Sequence, residues 1–258
     1  MPWNPETYNK FKTERFQPFY DCLSLIKVKT GMEVIDLGCG TGELTHKLAT
    51  HLPDPARIIG IDSSPEMLVE TKRFNHPALQ FRSDSIEDQI NHSQNWDLIF
   101  SNAAIQWVDN HKSLLPQLIS KIKPGGQLVI QIPSQHHNIS NLILADLAGS
   151  GPFNKSLDQW IRPTPVLEPE QYAKILFDNS GDQVTVFEKI YPIIVRDFNG
   201  LYEWVSGTAL LPYTDRLNAS ERDLFIAEFK KRLEQQFPGE PVFYPFKRII
   251  MSAIFGAV

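Results

Sequence analysis

The sequence predicts an α/β fold: a mostly parallel, doubly wound sheet with helices on both faces. Three observations carry that expectation. Val34-Ile35-Asp36-Leu37 is a short apolar run of the kind buried in a parallel sheet, and it enters Gly38-Cys39-Gly40-Thr41-Gly42, where side chains would obstruct a tight turn. Beyond the glycines the period becomes helical, with Leu44, Lys47, Leu48 and His51 on one line. Strand-like and helix-like segments then alternate as far as residue 135, which implies a parallel sheet with ligands outside its C-terminal edge.

Taken in order, residues 1–30 are an aromatic lead-in in which Tyr8, Phe11, Arg15 and Phe19 recur at helical spacing. Two readings are open there: a helix packed across the core, or a flap in which Trp3 and Tyr8 exclude water from a bound ligand. Arg57 to Asp62 is the second strand, and Ser63 or Ser64 caps a helix that starts at Pro65. Leu79 to Phe81 is the third strand, Trp96 to Ser101 the fourth, Ser113 to Ile122 a helix, and Gly125-Gly126 turns into a fifth strand over Gln127 to Ile132. Ser134 to Pro169, with polar turns and several prolines, reads as connection plus cap. A sixth strand follows over Gln183 to Tyr191, then helices over Phe198 to Thr208 and Ser220 to Phe237. The second of these opens on a capping-box pattern, Ser220 to Asp223, with Leu224, Phe225, Phe229 and Leu233 as its apolar face. Phe246 to Phe255 is the last strand. The expected organisation is an N-terminal helical flap (1–30), an α/β core (31–196), a helical lid inserted before the last strand (197–241), and the final strand of the core (242–258).

Bulk properties narrow the function classes. A net charge of −5 is the wrong sign for a nucleic-acid surface, which needs basic excess. Two cysteines leave no disulfide framework, and neither they nor the seven histidines have zinc-ligand spacing. His136-His137 is a solvated pair, because adjacent side chains do not converge on one metal. The apolar stretch from Ile249 to Val258 is broken by Ser252 and too short to span a membrane. A cytoplasmic protein without membrane, metal or nucleic-acid partners is expected.

The glycine turn, with backbone N–H groups pointing out of it, suits an anion or a nucleoside. Asp62, about 20 residues further on at the end of the next strand, suits a pair of ribose hydroxyls. A dinucleotide is disfavoured, since the third fingerprint glycine falls on Glu43, and Asp36 and Glu43 would repel a pyrophosphate while tolerating an ammonium or sulfonium. A nicotinamide oxidoreductase is therefore the weaker alternative.

Asp36-Leu37-Gly38-Cys39-Gly40-Thr41-Gly42, followed by Asp62-Ser63-Ser64-Pro65-Glu66-Met67, resembles the signature of class I S-adenosylmethionine-dependent methyltransferases. The resemblance continues through Asp84 and through Asp97 to Trp107. It implies a Rossmann-like fold with a seven-stranded sheet, S-adenosylmethionine as methyl donor and S-adenosylhomocysteine as product. It further implies a cofactor set of Asp36, Gly38, Gly40, Gly42, Asp62, Ser63, Met67, Asp84, Ser85, Ile86, Asn102 and Trp107, with Asp84 on the adenine. Trp3-Asn4-Pro5, Tyr8, Phe11, Glu14-Arg15 and Pro18, with Gln106-Trp107, are similar to bacterial trans-aconitate methyltransferases. Ser101-Asn102 to Gln106-Trp107 also resembles the malonyl-carrier-protein methyltransferases of biotin synthesis. The trans-aconitate group carries an arginine before the proline that follows the lid tryptophan; here that position is Leu211.

No G-x-S-x-G elbow is present. A carboxylate acceptor explains the missing base, since it is already ionised at neutral pH. The expected reaction is in-line O-methylation of a small organic acid such as trans-aconitate, in a dry pocket formed by Trp3, Tyr8, Trp107 and Trp204. Arg15 or Arg248 anchors a non-reacting carboxylate, and Gln106 completes the acceptor side. The alternatives are a carrier-protein-bound acid (an acyl carrier protein as partner), another small-molecule acceptor, or a non-catalytic S-adenosylmethionine-binding module.

Overall fold

A computed structural model of the chain describes residues 12–53, 56–74 and 76–256. In chain order these form α1 (Lys12–Leu25), β1 (Glu33–Leu37), α2 (Glu43–His51), β2 (Arg57–Asp62), α3 (Pro65–Glu70), β3 (Leu79–Ser83), α4 (Ile86–Gln89), β4 (Trp96–Asn102), α5 (His111–Ile119) and β5 (Ile122–Pro133). They continue as α6 (Ile139–Gly149), α7 (Gly151–Ser156), α8 (Pro169–Asp178), β6 (Gly181–Val195), α9 (Phe198–Val205), α10 (Leu211–Thr214), α11 (Ala219–Gln236) and β7 (Val242–Phe255). The seven strands make one sheet in the order β3-β2-β1-β4-β5-β7-β6. The first five pair in parallel, and β7 runs antiparallel to β5 with Arg248 opposite Pro133. Strand order reverses at β1, whose neighbours are β2 and β4, and in sheets of this kind ligands bind beyond the C-terminal ends of the strands at that point.

The chain divides into two compact units. The sheet unit holds Phe16–Pro133, Pro165–Lys189 and the chain from Arg248 onward. Its core is the apolar run expected from the sequence: Ile35, Leu37, Ile61, Ile99, Leu128 and Ile130, packed with Leu115, Leu118, Tyr172 and Leu176 from α5 and α8. On α1, Phe19 is fully buried and meets Phe100 of β4 edge-on, with ring centroids 5.8 Å apart. The other unit includes Ser134–Thr164 and Ile190–Lys247 and is held by an aromatic cluster. Phe225 stacks on Tyr213 and takes Phe153 edge-on, and Arg216 lies 3.7 Å over the Trp160 ring. Buried Asn138 donates to the carbonyls of Ser134 and Lys247 and accepts from the Lys247 N–H, so the turn after β5 is fixed by one fully used amide.

Several element expectations need correction. Residues 134–169, expected as connection plus cap with no element assigned, hold the helices α6 and α7; α6 is apolar almost all round, which hides helical periodicity, and buries Leu144, Leu147 and Ala148. α8 has a capping pair that the sequence reading passed over, Gln171 Oε1 accepting from the Glu168 N–H, with Pro169 at the first helical position. The cap of α11 is Asn218, which accepts from the Glu221 N–H at 3.0 Å, rather than Ser220. Leu224 is exposed, leaving Phe225, Phe229 and Leu233 as the buried face.

Candidate functional site

β1 delivers the chain into a turn in which Gly38, Gly40 and Gly42 all adopt positive φ. A Cβ on Gly38 would lie 2.1 Å from that of Ala104, so the turn and the loop after β4 touch where only a hydrogen fits. The Gly38 and Cys39 N–H groups both donate to the Ile61 carbonyl at the end of β2, that of Gly40 donates to Asp62 Oδ2 at 2.9 Å, and that of Gly42 to the Cys39 carbonyl. These four groups therefore do not point out of the turn. The expectation of an anion cradle is corrected: the backbone curls over β2 and spends its donors there, leaving little for a phosphate.

Asp62 fastens two loops, since its other oxygen, Oδ1, accepts from the Ser64 N–H at 2.9 Å. Each carboxylate oxygen keeps a further lone pair for a ligand hydroxyl. Ser64 caps α3 by accepting from the Met67 N–H, which leaves Met67 half-buried and Ser63 exposed beside the turn. Asp36 faces inward, buried, with Thr45 Oγ1 donating to its Oδ2 at 2.6 Å. Burial pushes its carboxyl up to about 7, the Thr45 hydrogen bond opposes this, and the charge of Asp62 adds to it.

The ends of β3 and β4 carry acceptors that the chain leaves unused. Asp84 Oδ1 accepts from the Ser85 N–H, while its buried Oδ2 makes no hydrogen bond, although His92 Nε2 lies 3.4 Å away. Ser85 caps α4 through the Asp88 N–H, and Ile86 is buried behind it. Asn102 Oδ1 and Gln106 Oε1 are buried without hydrogen-bond partners. The Gln106 amide has only one orientation, because its Nε2 donates to the Ala103 carbonyl at 2.6 Å. That amide sits on a short 3₁₀ turn, Ile105–Trp107, pinned by buried His111, whose Nε2 donates to the Ile105 carbonyl and whose Nδ1 meets the Tyr172 hydroxyl. Burial holds His111 below its ordinary pKa, so it stays neutral. Trp107 itself is exposed at the end of this turn.

Of the remaining predicted residues, Arg248 is buried in the sheet unit and donates from Nη1 to Gln131 Oε1 at 3.1 Å. Trp204 is buried in the helical unit, edge-on to Phe246. Trp3 and Tyr8 lie outside the described residues, as does the side chain of Arg15. Sequence reasoning missed Thr45, His111 and Gln131. Thr45 was findable as the helix residue facing back toward Asp36; the other two carry no local signal.

Unused acceptors at Asp84, Asn102 and Gln106, an acidic Asp62, and a turn whose own N–H groups are occupied fit a nucleoside rich in donors and bearing positive charge, rather than a pyrophosphate. Together with the sheet order they define a class I S-adenosylmethionine-dependent methyltransferase. The profile of the methyltransferase-domain family matches residues 28–165. Along nearly its full length the chain is similar to trans-aconitate 2-methyltransferases: 37% identity to that of Deinococcus radiodurans over 98% of both chains, and 36% to that of Rhodococcus jostii over 97% of this chain and 98% of the other. The chain belongs to the methyltransferase family that includes these enzymes. Solved structures share the fold at low identity. YcgJ of Bacillus subtilis has a TM-score of 0.60 at 14% identity, covering 92% of this chain and 97% of that one. Haemonchus contortus phosphoethanolamine N-methyltransferase 2, solved with S-adenosyl-L-methionine, has 0.53 at 17%, covering 92% and 52%.

Proposed function

We propose that this methyltransferase esterifies a carboxylate of a small organic acid, with trans-aconitate as the leading acceptor. The near-full-length similarity to trans-aconitate 2-methyltransferases is the observation that carries this reading. S-adenosylmethionine supplies a methyl group activated by its sulfonium. Asp62 would hold its ribose, Asp84 its adenine amino group, and the free carbonyl oxygens of Asn102 and Gln106 its positively charged end; Gly38, Gly40 and Gly42 let the backbone approach, and Ser63, Met67, Ser85, Ile86 and Trp107 border it.

An acid acceptor asks little proton chemistry of the chain. Its carboxylate is ionised at neutral pH, so no residue has to act as base. Asp36, whose carboxyl burial pushes up to about 7, accepts from Thr45 and lies buried behind the turn. Opposite charges are consumed in the transfer, so a site that excludes water favours it; Trp107, Trp204, Trp3 and Tyr8 are proposed for that work. The lid role proposed for residues 197–241 predicts that their amide hydrogen exchange slows when cofactor and acid are both bound. Cys22 and Cys39 are both buried and unpaired, which supports a reducing, cytoplasmic location, and no helix among the described residues is long and apolar enough to cross a membrane.

A second acceptor, malonyl carrier protein, is favoured by one feature, Leu211 in place of the arginine of the resembled family. Methyl-ester formation should be measured with trans-aconitate and with malonyl carrier protein. Turnover of trans-aconitate supports the reading; turnover of the carrier protein alone, or of neither, overturns it.

A further inference from the structure

The turn that carries Gln106 is held from two helices, α5 and α8. The Ile105 carbonyl accepts twice, from the Val108 N–H at 2.9 Å and from His111 Nε2 at 2.8 Å, so both of its lone pairs are used. The second contact fixes the tautomer. Burial keeps the His111 ring neutral against the opposing pull of the Ile105 and Val108 carbonyls and of Asp109. A carbonyl can only accept, so the single ring proton sits on Nε2 and Nδ1 must accept. Its donor is the Tyr172 hydroxyl, whose oxygen in turn accepts from the Leu167 N–H at 3.0 Å. Burial also keeps that hydroxyl protonated. Donation therefore runs in one direction, from Leu167 through Tyr172 and His111 to the Ile105 carbonyl, and each link polarises the next. Both side chains are completely buried.

We propose that His111 and Tyr172 are positioning residues for the methyl donor: acting through the Ile105 carbonyl, they fix the backbone of Ile105–Trp107 so that the free Oε1 of Gln106 meets the donor's ammonium. The inference rests on the reading of Gln106 as a cofactor ligand. The Gln106 side chain makes one hydrogen bond, to the Ala103 carbonyl three residues back in the same loop. Side chain and tie would therefore move together if the loop shifted. His111 supplies a fixed point outside that loop, and Tyr172 keeps the imidazole oriented with Nε2 toward the turn. An acceptor oriented before its ligand arrives saves the cost of ordering it on binding, and a misplacement of about 1 Å can cost on the order of a hundredfold in a reaction. A side chain that only filled space would need neither the tautomer nor the hydroxyl.

The test compares His111→Gln with His111→Asn. Glutamine places an amide nitrogen where Nε2 was and keeps the donor to Ile105. Asparagine places its oxygen where Nδ1 was, so it keeps the acceptor for Tyr172 and loses that donor. Both delete ring atoms from the core, so a role in packing alone predicts the same loss of affinity in each. The probe is calorimetric titration with S-adenosylhomocysteine, which retains the ammonium. His111→Gln should stay within about threefold of the wild type, and His111→Asn should bind about tenfold more weakly or worse, the scale of one buried hydrogen bond. Tyr172→Phe, which deletes one oxygen, should fall between them and carries the test if neither His111 variant folds. Long-range 15N–1H spectra of the wild type should show the His111 proton on Nε2, the resonance being assigned by its loss in His111→Gln. Equal affinities in the two His111 variants, wild-type affinity in Tyr172→Phe, or a proton on Nδ1 overturns the inference. Gln106→Leu separates the two levels of the reading. If it binds S-adenosylhomocysteine as tightly as the wild type, Gln106 is no ligand and the inference falls with it; if it binds weakly while the two His111 variants bind alike, only the positioning role falls.

Discussion

Two halves of one sheet edge are built from different materials. At β1 and β2 the site is backbone: three glycines with positive φ, their N–H groups tied to Ile61, Cys39 and Asp62. At β4 and the turn after it, it is side chain: Asn102 and Gln106, each with a buried carbonyl oxygen that accepts no hydrogen bond, the Gln106 amide being set by its donation to the Ala103 carbonyl. The first half is intolerant of volume and the second of changed polarity. A backbone-made site leaves little room to vary what it binds, whereas a site made of side chains can be altered by one substitution.

The largest effect should come from volume in the backbone half. Gly38→Ala adds a Cβ 2.1 Å from that of Ala104 in a left-handed conformation. We expect a loss of about 2 to 5 kcal/mol in folding stability, from overpacking added to backbone strain. Gly40→Ala has the same backbone problem but nothing within 4 Å of the new atom, so about 1 kcal/mol is expected. Denaturant midpoints of the two variants measure the difference; equal losses would mean that packing against Ala104 does not limit the turn.

Asp36 gives the next effect, and it depends on pH. Its carboxyl goes from 3.8 in the unfolded chain to about 7 in the fold, so between roughly pH 4 and 7 the native state holds a proton that the unfolded state has lost. Stability therefore falls as pH rises through that window and stays lower above it. Asp36→Asn mimics the protonated form and keeps an acceptor for Thr45. The variant should match the wild type near pH 3.5 and exceed it by about 2 to 4 kcal/mol at pH 8, while binding the cationic cofactor less well there. Melting curves at the two pH values would reveal it, and a gain of the same size at both would disprove the titration.

Asp62→Ala should weaken cofactor binding by about 1 to 3 kcal/mol. The structure adds a reason beyond the ribose: the Gly40 and Ser64 N–H groups lose their acceptor together. Gly40 and Ser64 should then exchange their amide protons faster even without cofactor. Unaltered affinity would remove Asp62 from the site.

What could be read from the sequence follows the same division. Glycine at a turn and an acid at a strand end report local conformational demands, so the turn and Asp62 were legible. The direction of the turn's N–H groups was not, because it depends on Ile61 being brought alongside from the next strand. Gln131 was illegible for a related reason: a glutamine in a strand reads as a solvent-facing residue until Arg248, far along the chain, is placed beside it. His111 likewise acquires its role only through Tyr172. In the helical unit the failure was one of period, since α6 has no polar face to mark its turns.

Trp107 should give the smallest effect on stability and joins the two halves of the comparison. It is more than half exposed, at the end of a turn that His111 already pins through the Ile105 carbonyl. Truncating an exposed side chain on a backbone held by other contacts changes folding stability by no more than about 0.5 kcal/mol, so Trp107→Ala should melt with the wild type. A loss of cofactor affinity in the same variant would then report contact with the ligand alone, without a contribution from the fold. Indole fluorescence at this position should also change on titration with S-adenosylhomocysteine, read against the Trp107→Ala protein to subtract the other tryptophans. If affinity and fluorescence are both unaltered, the cofactor does not reach the end of the turn.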